Sequence, residues 1–139
     1  MNTFKVSILA ADRAFYEGPC ESLVVPTLKG QYGILAHHRN VIAAVVPGTL
    51  KYKIPDKPAQ IAAVSAGLVK IENNEVLVLV DSAERPEDID ANRAKRAADE
   101  AKEELLQKKS IQEYRSTQAK LARAISRLRV KTSYMEENH

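Results

Sequence analysis

The feature that most constrains this chain is a change of hydrophobic period at residues 83–88. Before Ala83-Glu84-Arg85-Pro86-Glu87-Asp88, apolar residues come in short runs or alternate with polar ones, and turn formers separate the runs. After it they recur at three- and four-residue steps. A period near two belongs to strands and a period near 3.6 to helices, so an all-β first part and a helical second part are expected. Pro86 suits a turn or a first helical position, and the acids that follow suit a helix N-terminus. The expected domains are residues 1–85 and 86–139.

Within the first part the clearest hairpin is Leu68 to Val80. Val69 and Ile71 alternate with Lys70 and Glu72, Asn73-Asn74 can take the positive φ of a tight turn, and Val76 to Val80 returns as an apolar strand. Further strands are expected over Phe4–Leu9, Ala14–Glu17, Ser22–Pro26, Val41–Val46, Thr49–Ile54 and Gln60–Ala66. Short strands at this spacing predict an antiparallel β-sandwich or flattened barrel. With two Phe, five Tyr and no Trp, its core must rest on aliphatic side chains.

In the second part Ala94, Ala97, Ala98, Ala101 and Leu105 share one face of a first helix, small enough for close approach of a neighbour. After a polar break at Gln107 to Ser110, the positions Ile111, Tyr114, Gln118, Leu121, Ile125 and Leu128 form the three-four stripe of a second helix. A short connection makes the two antiparallel, so the whole reads as a β domain followed by a two-helix hairpin. Charge divides along this tail. From Glu84 to Glu104 there are eight acids and five bases, and from Lys108 to Lys131 eight bases and one acid.

Several function classes find no support. No stretch reaches the roughly 18 to 20 apolar residues that span a bilayer, and the N-terminus lacks a secretory pattern, so a soluble chain is expected. The single Cys20 fits a reducing cytoplasm and reads as a small buried residue. No Gly-rich loop ending in Lys and Ser or Thr is present, which argues against a P-loop motor. Ser65 beside Gly67 lacks the strand-turn-helix setting of a catalytic serine. His37 and His38 diverge on an extended segment, and no further ligand completes a metal site. The basic second helix lacks the interleaved aromatics of a nucleic-acid surface.

Three strings together resemble the epsilon subunit family of bacterial F-type ATP synthases. They are Gly30-Gln31-Tyr32-Gly33-Ile34-Leu35 with His38, the strand Ala63-Val64-Ser65-Ala66-Gly67, and Ala83 to Asp90. The resemblance implies a β-sandwich that docks on the gamma subunit and the c-ring, and a hairpin that regulates hydrolysis. It implies a non-catalytic subunit, peripheral to the cytoplasmic face of the membrane through its complex. The loop around Gly30 to Gly33, with Gly30 and Gln31 foremost and His38 beside them, is the implied c-ring contact. Family members often carry an acid where this chain has Gln31, and a glycine turn kept for its backbone angles is the alternative.

A subset of that family binds ATP through Ile or Leu, Asp, two variable residues, Arg and Ala. Ile89, Asp90, Arg93 and Ala94 match this motif, Glu84 matches an upstream acid, and Arg123 and Arg127 resemble two arginines of the second helix. The implied ligand is ATP, alone or with Mg2+, as a regulator and not as a catalytic cofactor. Guanidinium groups hold phosphates through forked hydrogen bonds, and Asp90 can accept from the nucleoside. The structural alternative makes Asp90 a helix-start residue and the arginines solvated. The ATP-binding members carry a further arginine where this chain has Glu100, and Arg96 lies one turn nearer.

The resemblance also implies a switch between a closed hairpin favoured by ATP and an extended form that blocks hydrolysis. In the extended form Arg115, Lys120 and Arg129, with Arg123, Arg127 and Lys131, would face acidic loops of the catalytic beta subunits. A free-standing ATP sensor and an enzyme are the competing readings. Gel filtration with gamma subunit separates the first, and a turnover assay the second.

Overall fold

A computed structural model describes residues 2–107 and 111–137, and the chain divides into two compact units, Met1–Arg85 and Pro86–His139. In the first unit ten strands are described: β1 (Phe4–Ala10), β2 (Ala14–Cys20), β3 (Ser22–Thr27), β4 (Gly30–Leu35), β5 (Val41–Val45), β6 (Gly48–Lys53), β7 (Gln60–Val64), β8 (Gly67–Glu72), β9 (Glu75–Val80) and β10 (Ala83–Glu84). They form two five-stranded sheets, ordered β2-β1-β9-β8-β5 and β10-β7-β6-β3-β4.

The β8–β9 hairpin forms as the alternation predicts. Asn73 and Asn74 take φ of 51° and 63°, and Glu72 pairs with Glu75 across a two-residue turn. Positive φ at both central positions matches the right-handed twist of the strands, which is why asparagine serves there. Every other pairing is antiparallel except β1 with β9, which run parallel with Val6 beside Val76 and Ile8 beside Val78. Two segments depart from the sequence reading. Gly30 to Gly33, expected as a loop, belongs to edge strand β4, because Leu23 to Thr27 offers a continuous partner from Ile34 to Gly30.

Alternate residues from both sheets meet in the core, where Val6, Ile8, Leu23, Val25, Ile34, Leu50, Ala62 and Val78 are fully enclosed. Cys20 is among them. Its thiol donates to the carbonyls of Ser22 at 2.9 Å and Lys53 at 3.3 Å, and burial pushes its pKa up. Of the aromatic residues, Phe15 and Tyr16 each have a ring centroid 5.9 Å from that of Tyr52, and Phe4 is buried in the same core. The end of the unit is tied back. Arg85 donates to the Phe15 carbonyl at 3.2 Å with its guanidinium 4.5 Å over the Phe15 ring, and Arg13 donates to the Ala83 carbonyl at 3.2 Å.

Gly67 accounts for the string Ala63 to Gly67. A Cβ there would overlap the carbonyl oxygen of Leu79. Ser65, fully buried, accepts from the Ser82 N–H at 2.7 Å and so fastens the end of β7 to the turn before β10. This serine is a structural staple.

The second unit starts with a single 3-10 turn at Pro86–Asp88, followed by α1 (Ala91–Gln107) and α2 (Ile111–Glu137). The expected break reaches into residues 108–110, which lie outside the described residues. Thr117 of α2 donates to the Glu104 carboxylate at 3.2 Å, while Lys131 of α2 donates to the Pro86 carbonyl at 3.2 Å. Later residues of one helix thus meet earlier residues of the other, and the pair is an antiparallel hairpin.

Ala94, Ala98 and Ala101 are buried as the small face predicts. The stripe expected on α2 is the second departure: Tyr114 and Gln118 are exposed, and Leu121, Ile125 and Leu128 only half-buried. The side chain of Ile111 lies outside the described residues. Among the described residues of α2, Thr117, Ala124, Ser126 and Val130 are buried; Thr117 and Ala124, two turns apart, share the face toward the alanines, which admits small residues at close range, while Ser126 and Val130, one turn apart, share another face. Each buried alanine methyl contributes about 0.8 kcal/mol, so this hairpin rests on weak packing.

Candidate functional site

Two regions carry the residues singled out by the sequence, one in each unit. In the first unit Gly30, Gln31 and His38 lie where the open edges of the two sheets, β4 and β5, come to one corner. A groove of about 600 Å³ is lined there by Leu28, Lys29, Gln31, Gly33, His38, Arg39 and neighbouring β5 residues. Gly30 adopts φ 106°, a conformation that favours glycine, so its presence has a local cause. Gln31 projects from β4 and is exposed.

His38 is half-buried and held from both sides. Its Nδ1 lies 2.8 Å from the Arg39 carbonyl and its Nε2 lies 3.0 Å from the Tyr32 hydroxyl. A carbonyl only accepts, so Nδ1 carries the proton and Nε2 accepts from Tyr32. The rings meet edge to face, with centroids 5.4 Å apart. His38 therefore shapes the corner through Tyr32, a partner that sequence reasoning passed over. Among the described residues no group of three or more His, Cys, Asp or Glu could hold a metal ion.

In the second unit Asp90 stands immediately before α1. Its carboxylate accepts from the Arg93 N–H at 3.1 Å and its carbonyl accepts from the Ala94 N–H at 3.0 Å, the geometry of an N-cap. Ile89 and Ala94 are buried and act in packing, whereas Arg93 is exposed. Arg93 lies between the two polar ties of the hairpin, Pro86 to Lys131 and Glu104 to Thr117. Interpolation between those ties brings the α2 turn that contains Arg123 and Arg127 to its level. Both arginines are half-buried.

Ser126, beside Arg127 and one turn after Arg123 by count, is 6% exposed, and among the described residues its hydroxyl has no hydrogen-bond partner. A buried, unpaired hydroxyl costs free energy unless a ligand satisfies it, and no periodicity in the sequence marked it. Glu84 belongs to the first unit, on β10, paired with Ala63 of β7. Arg115, Lys120 and Arg129 are exposed on α2. Glu100, where an arginine is expected, is exposed on α1.

Residues 3–86 match the family model described as the beta-sandwich domain of the ATP synthase delta/epsilon chain, and residues 87–132 match that of its long alpha-helix domain. The chain belongs to the ATP synthase delta/epsilon family. Among curated relatives, the ATP synthase epsilon chain of Caldanaerobacter subterraneus subsp. tengcongensis is 40% identical over 135 residues, covering 96% of this chain and 97% of that protein. That of Shouchella clausii is 38% identical, covering 94% and 96%.

Solved structures agree on the fold of this epsilon-family chain. A chain of the mitochondrial ATP synthase of Euglena gracilis, in a structure of its OSCP, F1 and c-ring, superposes with a TM-score of 0.76 at 18% identity, covering 88% of this chain and 77% of that one. A chain from the central stalk and c-ring of the Tetrahymena thermophila mitochondrial enzyme gives 0.63 at 9% identity, with coverages of 91% and 95%. Among the described residues no helix is long and apolar enough to cross a membrane.

Proposed function

We propose that this epsilon-family chain is a non-catalytic central-stalk subunit whose hairpin senses ATP and restrains hydrolysis. The first unit docks on the gamma subunit and on the c-ring, the latter through Gly30, Gln31 and the corner held by His38. The second unit is the regulatory element. Its place is peripheral, on the cytoplasmic face of the bacterial membrane.

The observation that carries the regulatory reading is the antiparallel register of the hairpin, which brings Arg93 to the level of Arg123 and Arg127. Residues drawn from both helices form one site only while the helices are paired, so a ligand held by all of them favours the closed form. The donor set suits a nucleoside triphosphate. Three guanidinium groups offer forked donors to phosphate oxygens, and the unpaired Ser126 hydroxyl offers one more. Asp90 accepts from the nucleoside, with Ile89 and Ala94 setting its position. Mg2+ would enter with the phosphates.

Closure by ATP keeps the basic side chains of α2 away from the catalytic subunits. When ATP is scarce the weakly packed hairpin opens, and Arg115, Lys120 and Arg129 meet acidic loops of the beta subunits. Exposed pairs of this kind are worth about 0.2 to 1 kcal/mol each, so several must act together. The test is a complex reassembled with a chain ending at Arg85. Assembly should be retained and hydrolysis at low ATP should rise, and unchanged hydrolysis would contradict a restraining role.

A further inference from the structure

The corner groove of the first unit has two properties that the chain's own folding does not explain. The first is Gly33. Unlike Gly30 it does not adopt a positive φ, and a Cβ added to it meets nothing within 4 Å. Glycine weakens a strand, and in such a position it commonly marks the close approach of another backbone. No such backbone is described in this chain.

The second property is the edge of β5. Its sequence, Val-Ile-Ala-Ala-Val, contains no charge and no proline, and it pairs with β8 in unbroken register from Val41 to Val45. Ile42 is 70% exposed. Proteins usually protect sheet edges with charges, prolines, bulges or short strands. The other end of that sheet is protected in this way, since β2 carries Gly18 and Pro19 and its pairing with β1 is irregular at Ile8 and Leu9. β10, at the far end of the second sheet, is two residues long. The unprotected edge of β5 and the open face of Gly33 border the same groove, along with exposed Leu28, Lys29 and Arg39. Its lining contains cations and no carboxylate.

We infer that an extended segment of a partner polypeptide bearing an acidic side chain lies in this groove, pairing through its main chain with β5 and passing over Gly33. Main-chain pairing supplies affinity, Lys29 and Arg39 select the acid, and Gly33 admits the backbone. The inference rests on the proposal that the first unit is a docking module, and it names the chemistry of one contact without assigning it to a subunit.

The experiment uses the parent ATP synthase depleted of this chain and the full-length chain added back. Hydrogen exchange should slow by at least about tenfold at alternate amides of residues 41–45 on rebinding, with the β2 edge unchanged. Gly33→Val should leave the free protein's melting temperature unchanged or higher, since the space is open, yet weaken rebinding by at least about tenfold. Arg39→Glu should weaken it as well. A chain that rebinds while β5 exchanges as fast as in the free protein overturns the inference, as does a well-folded Gly33→Val protein that rebinds like the parent. Arg39→Glu rebinding like the parent overturns the acidic partner. A chain that does not rebind at all overturns the docking reading, and the inference with it.

Discussion

The carboxylate of Asp90 accepts a hydrogen bond from the main-chain N–H of Arg93 at 3.1 Å, so the two motif residues proposed to hold a nucleotide are also the start of α1. Capping and binding can be separated by substitution. Asp90→Ala should destabilise the hairpin by about 0.5 to 2 kcal/mol, whereas Asp90→Asn, an equally good cap, should restore most of that. Helix content followed during urea unfolding measures it. If Asp90→Asn recovers stability but not ATP affinity, the charge acts on the ligand. If it recovers both, the cap is the whole role.

Gly67→Ala should cost about 1 to 3 kcal/mol or more, because the new methyl would press on the backbone of β9 at Leu79. The clash involves main chain, which cannot rotate away. Thermal unfolding of the two proteins decides it, and equal midpoints would show that the strands separate at this point without cost.

A chain ending at Arg85 should fold alone. The sandwich has its own core, and its last strand is tied within the unit by Ala83 pairing with Val64 and by Arg85 on Phe15. The far-ultraviolet signature of β structure and a cooperative melt should both persist. Loss of either would mean that the hairpin is part of the sandwich's stability.

Much of this architecture was legible from local pattern. The change of period at Pro86 and the Asn73-Asn74 turn are written in consecutive residues, and both appear where the pattern put them. What was hidden depends on distant partners. β4 was concealed by Gly30 and Gly33, which lower strand propensity and form a strand only because β3 is beside them. The parallel contact of β1 with β9 joins residues about seventy positions apart. On α2 the large apolar residues drew attention from Thr117 and Ala124, whose small size suits the alanine face of α1. Of the candidate site, the charged residues were readable from the motif, but the hydrogen-bonded pair of Tyr32 and His38 and the unpaired hydroxyl of Ser126 needed coordinates.

The most direct test of the regulatory account is calorimetric titration of the isolated chain with MgATP. Binding should be saturable in the parent. Arg93→Ala and Arg127→Ala should each weaken it by at least about tenfold, roughly 1.4 kcal/mol, since a charge-assisted hydrogen bond to a ligand is worth about 1.5 to 3 kcal/mol. Ser126→Ala should weaken it by a smaller factor without lowering stability, and Lys102→Ala, outside the proposed ligand set, should change little. No heat of binding in the parent, or equal affinities in the parent and Arg127→Ala, would contradict a nucleotide site shared between the two helices.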